Sequence, residues 1–181
     1  LWPSQHGVPN WHLYIKEIDT ISTIIRFNRR YDQRDLSTLG MSPSQAYPVE
    51  SMVSKFDRVT LGVIPESIAD TAYSTYWRAN SSYKTYQMLG EAVDLVSSQV
   101  NTTIGSTFTH LYYSEVDTLS HQNGIDHDLV KHEIEKVEFQ ISLLLDKLPS
   151  RSTVIVSADH GLKDSGQQNM IRIEPSDDLL N

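Results

Sequence analysis

Two β-branched apolar runs flank a long stretch of helical periodicity, and this alternation restricts the chain to an α/β topology. Between about Asp126 and Lys147, the residues Val130, Ile134, Val137, Ile141, Leu144 and Leu148 step by three and four, giving one apolar stripe. Lys131, Glu135, Lys136 and Asp146 fall on other faces, and Pro149-Ser150 punctuates the exit. Upstream lies Thr107–Tyr113 and downstream Val154-Ile155-Val156, both rich in residues that suit a buried strand. Strand, loop, helix, strand is a βαβ unit, whose crossover makes its two strands parallel. Val59–Ile64 adds another apolar run. The pattern predicts a three-strand parallel core over 59–64, 107–113 and 153–158, with helices between the strands. A helix is expected over 82–100, helix and loop over 65–81, a short helix over 49–56 and a strand or hairpin arm over 19–27.

Polar clusters sit where two of these runs stop. Ser157-Ala158 leads into Asp159-His160-Gly161, with the glycine expected to permit a sharp turn that lets carboxylate and imidazole reach one ion. The other cluster, Tyr113-Ser114-Glu115-Val116-Asp117-Thr118-Leu119-Ser120-His121, places Asp117 and His121 at i, i+4, on one face of a helical turn. Each motif alone is short enough to arise as a polar turn or a solvated pair. Their recurrence at strand ends is the stronger signal, because ligands of open α/β sheets gather at the carboxyl ends of strands. Both clusters are expected to open on one edge of the sheet and to share a two-metal site.

The Asp117-x-x-x-His121 and Ala158-Asp159-His160-Gly161 pair, together with the opening Leu1-Trp2-Pro3-Ser4-Gln5-His6-Gly7-Val8, resembles the alkaline phosphatase superfamily. The likeness is to its type I phosphodiesterase/nucleotide pyrophosphatase branch, and Trp11–Asp19 and Phe27–Asp32 are similar to bacterial members. The resemblance implies a three-layer α/β/α fold with a mostly parallel sheet, and hydrolysis of small phosphate esters or nucleotide-like substrates through two divalent metal ions. Mixed carboxylate and imidazole donors favour zinc, with manganese and iron as alternatives. In that pattern Asp117 and His121 bind one metal, completed by a downstream histidine. Asp159 and His160 bind the second, completed by an upstream aspartate and a Thr or Ser nucleophile. No residue within Leu1–Asn181 matches the nucleophile or the third histidine. The chain is therefore expected to be a single-domain fragment of a longer catalytic domain, by itself inactive. His110, His127 and His132 read as surface or loop histidines and His6 as a structural neighbour of the site. The alternative is a non-catalytic metal-binding or structural domain of the same fold.

Composition narrows the partners. A net charge of −8 argues against a surface that coats a nucleic-acid polymer. Bound metals can still supply local positive charge for a phosphate. With no cysteine there are no disulfides and no thiolate chemistry, which leaves localisation open with cytoplasm slightly favoured. No run reaches the 18 or more apolar residues of a membrane span. Arg26, Arg29, Arg30 and Arg34 form a basic cluster beside Tyr31, read as surface ion pairing with Asp32 and Asp35 in preference to a phosphate contact. Tyr73, Tyr76 and Trp77 read as packing under a loop in preference to stacking on a substrate.

Overall fold

A computed structural model of the chain describes residues 12–47 and 49–164. Over these residues it is a mixed α/β protein with two three-stranded sheets, one antiparallel and one parallel. The chain divides into two units, 1–113 with 140–152 and 114–139 with 153–181.

In the first unit, β1 (His12–Ile15) pairs antiparallel with β2 (Thr20–Thr23), which pairs with β3 (Asn28–Arg29). The tight connections need left-handed backbone at Asp19, Phe27 and Gln33, with φ of 44°, 55° and 58°. Beneath this meander Ile15, Ile24, Phe27, Leu36, Met41 and Tyr47 form a core. The Tyr47 hydroxyl donates to the Ile24 carbonyl at 2.8 Å, so its one polar atom is satisfied where it is buried. A short helix α1 (Pro43–Ala46) starts with proline at its first turn, and α2 (Ala72–Arg78) is capped by Thr71, whose hydroxyl accepts the Ser74 N–H. Tyr73, Tyr76 and Trp77 of α2 pack on this core, Tyr47 meeting Tyr73 edge-on at 5.4 Å. The 19–27 segment is thus a hairpin arm followed by a turn, and the 49–56 segment carries a 3-10 turn at Met52–Lys55.

The parallel sheet has the order β5-β4-β6, with β4 (Val59–Pro65) between β5 (Ser82–Tyr86) and β6 (Thr107–Leu111). Leu61 and Val63 are buried on the central strand. Helix α3 (Leu89–Thr102) touches all three strands and buries Leu89, Ala92, Val93 and Val96, the i, i+3, i+4, i+7 stripe of an amphipathic helix. Its start is fixed by Glu91, whose carboxylate accepts the N–H groups of Gln87 and Met88 at 2.9 and 3.0 Å. Those donations hold its pKa below the usual carboxylate value.

The sheet corrects two expectations. Residues 82–100 are not one helix: 82–86 is an edge strand, and the helix begins at Leu89. Nor is 153–158 a strand; it runs irregularly, with Ile155 85% and Val156 67% exposed. The β-branched run makes no ladder with any described strand. β-propensity expresses packing context more than backbone preference, and here the context is absent.

The second unit contains α4 (Glu115–Asn123) and the start of α5 (Asp128–Lys147), a helix close to the expected 126–147. The His127 ring accepts the Leu129 N–H at 3.2 Å at its entrance. In the first unit, Lys147 at its end pairs with Asp94 at 2.6 Å.

Candidate metal-binding site

α4 follows β6 after a short connection and carries Asp117 in its first turn and His121 in its last. The i, i+4 spacing places the His121 Nε2 3.4 Å from the Asp117 Oδ1. That oxygen is buried and accepts no hydrogen bond. A buried carboxylate oxygen without a donor is costly, and the imidazole beside it can itself act as a metal donor. Two donors held tetrahedrally at zinc-type bond lengths stand about 3.4 Å apart, so the pair has the spacing of two ligands on one ion. The asymmetric cost of the oxygen and this spacing are where the residues fit a divalent cation.

Asp159 and His160 form a second pair at a bend that ends the irregular 153–158 segment. The His160 Nε2 is 3.7 Å from the Asp159 Oδ2. Its Nδ1 lies 3.2 Å from the Gly161 carbonyl, an arrangement in which Nδ1–H donates to the backbone and Nε2 keeps its lone pair. Metal-binding histidines are commonly oriented in this way. Gly161 itself has no left-handed φ, and a Cβ there would meet only open space, so the bend does not require glycine.

Asp164 was not among the residues singled out in the sequence, yet it joins the two segments. Its Oδ1 accepts the Ile125 N–H at 3.0 Å. Ile125 is four residues beyond His121 and Asp164 four beyond His160, so one bond ties the stretches that follow both donor pairs. Gly124, at φ 89° and ψ 154°, ends α4 and sits against Asp164: a Cβ added there would lie 3.2 Å from the Asp164 Oδ2. Nothing in the sequence marks this tie beyond the glycine after the helix.

The two side chains of each pair lie close together, but no group of three or more His, Asp or Glu side chains able to hold a metal occurs among the described residues. The second pair does not stand at a strand end, as the sequence reading had it. His110 lies on β6, His127 caps α5 and His132 approaches Glu135 at 3.7 Å; none joins the pairs. His6 and the Leu1–Val8 stretch fall outside the described residues. Among the described residues no helix is long and apolar enough to cross a membrane.

Neither the comparison with curated proteins nor that with solved structures returns a match. The family model for type I phosphodiesterase / nucleotide pyrophosphatase matches residues 1–178. That span takes in both Asp–His pairs and the parallel sheet. The chain therefore belongs to the type I phosphodiesterase/nucleotide pyrophosphatase family, a family of hydrolases within the alkaline phosphatase superfamily.

Proposed function

We propose that the chain supplies metal donors for hydrolysis of small phosphate diesters or nucleotide-like pyrophosphates. Asp117 and His121 would hold one divalent cation, and Asp159 and His160 a second, with zinc favoured by the donor set. The observation that carries this reading is the buried, unpartnered Asp117 Oδ1 beside the His121 Nε2. Bound cations of this kind neutralise charge on non-bridging phosphate oxygens and lower the pKa of an attacking oxygen.

The chain's own residues then have definable tasks. The α4 scaffold keeps Asp117 and His121 on one face at fixed separation, so neither has to be ordered when a ligand arrives. The Gly161 carbonyl orients the His160 ring. Asp164 holds the segment after His160 to the backbone after α4. The nucleophile, a Thr or Ser in the family pattern, is assigned to none of the residues from Leu1 to Asn181.

Metal titration of the metal-stripped chain by isothermal calorimetry and elemental analysis tests the assignment. Zinc uptake that falls roughly 100-fold in affinity in Asp117→Asn and in Asp159→Asn supports it, a loss of the size seen when ligand environments are disturbed. Uptake equal to wild type in both variants overturns it. In a polypeptide that provides the Thr or Ser nucleophile alongside this chain, the same substitutions should lower turnover of bis(p-nitrophenyl) phosphate about 100-fold or more.

A further inference from the structure

We propose that the exposed run 153–157 is a self-recognition strand, which joins a second copy of this chain as an antiparallel pair with its two-fold axis at Ile155. Val154-Ile155-Val156 has the composition of a buried strand, yet Ile155 is 85% and Val156 67% exposed. The run makes no ladder with any described strand, and no described residue shares a backbone hydrogen bond with 153–158. Open backbone donors and acceptors beside apolar side chains are the template on which another strand pairs.

The residues around the run identify the partner, because they are complementary to themselves. With Ile155 opposite Ile155 of the second copy, Val154 faces Val156, Thr153 faces Ser157 and Arg151 faces Asp159. The three apolar residues then meet one another, and an opposite-charge pair closes each end of the join. A slip of one residue sets Arg151 against Ala158 or His160, and a valine against Thr153 or Ser157. Parallel, in-register pairing would face Arg151 with Arg151 and Asp159 with Asp159, which like-charge repulsion disfavours. Of these arrangements, the two-fold antiparallel register alone satisfies both the apolar residues and the charges.

Both charged ends are accessible to a partner. Arg151 is exposed, and the Asp159 side chain is 79% exposed. Exposed ion pairs add little affinity, so their part is to set the register. Affinity comes from the apolar side chains and the shared ladder. Positions 151–159 fall short of the about 20–30 residues a side of a standard interface, so the dimer is weak and concentration-dependent. An isologous join of this kind closes at two copies. It needs no metal, and so stands or falls separately from the donor assignment.

Sedimentation equilibrium of the full chain in EDTA, up to about 1 mM, should show a reversible monomer–dimer equilibrium. Ile155→Lys, which sets two like charges on the axis, should abolish it. Arg151→Asp and Asp159→Arg should each weaken the dimer about 10-fold, and the two combined in one chain should restore it. All three positions are exposed, so these variants keep the fold of the monomer. Because the chain has no cysteine, single thiols read the register directly. Opposed Cα atoms of an antiparallel pair stand about 4.5–5.5 Å apart, within disulfide reach. Ile155→Cys, oxidised with copper phenanthroline, should therefore give a covalent dimer. Thr153→Cys alone should not, since its own counterpart lies about 13 Å along the join, whereas a mixture of Thr153→Cys with Ser157→Cys chains should. Monomer at every concentration, as when another part of the same chain covers the run, would overturn the proposal. So would growth beyond two copies, a dimer unchanged in Ile155→Lys, charge reversals that do not rescue each other, or cross-linking of Thr153→Cys as efficient as that of Ile155→Cys.

Discussion

Two tyrosine hydroxyls illustrate how single atoms set the conditions under which the chain holds together. Tyr86 donates to the Tyr112 carbonyl at 2.6 Å, and burial pushes its pKa up from 10.0 to about 12. Tyr47 is pushed up in the same way by its burial against Ile24. A raised phenol pKa means the neutral form is favoured in the folded state. Its contribution is fully present below pH 10 and is lost as pH rises through about 12. Urea denaturation should therefore show stability flat near neutrality and falling above pH 10. Tyr86→Phe should cost about 1 kcal/mol at pH 7, because the Tyr112 carbonyl loses its donor, and should make the alkaline fall shallower. An unchanged alkaline slope would contradict the assignment.

At the level of elements, the end of α4 is the sensitive point. Gly124 occupies backbone space that only glycine enters without strain, and a Cβ would press on the Asp164 carboxylate. Gly124→Ala should destabilise by about 1–3 kcal/mol in thermal or urea unfolding. Because the same turn ties the stretches after His121 and His160, it should also weaken zinc binding. Gly161→Ala, with open space around it and no left-handed φ, should do neither.

The elements also show which physics a sequence exposes. α5 was readable because its apolar residues repeat at helical spacing, and β4 and β6 because their apolar runs are long. β5 was hidden: Ser82, Tyr83, Lys84 and Thr85 are exposed on an edge strand, so no alternation distinguishes them from the helix that follows. The 153–158 run misled in the opposite sense, because its composition suits a strand whereas a strand also requires a ladder partner, and none of the described strands pairs with it. The proximity within each Asp–His pair was legible as local spacing. Asp164 was not, because its partner lies 39 positions away and a lone aspartate carries no periodic signal.

For the whole molecule, 23 acidic against 15 basic residues leave an excess of negative charge that a bound divalent cation would partly offset. A cation that binds the folded chain but not the unfolded one stabilises it by mass action. Zinc at 100 times its dissociation constant should add about 2.7 kcal/mol, and EDTA should remove it. Differential scanning calorimetry with and without chelator measures this, and a midpoint unmoved by zinc in wild type would count against the donor assignment. The share of the gain due to Asp117 and His121 should be lost in Asp117→Asn, leaving that of Asp159 and His160.

The placement of β4 at the centre of the parallel sheet has a consequence for biosynthesis. Its partners lie far along the chain: Leu61 is registered with Ser82, and Val59 with Thr107. During translation at about 5–20 residues per second, β4 waits roughly 2–9 s between completion of its own last residue and that of β6. Through that interval the nascent polypeptide presents a sticky ribbon of Val59, Leu61, Val63 and Ile64, a segment for a holding chaperone to cover.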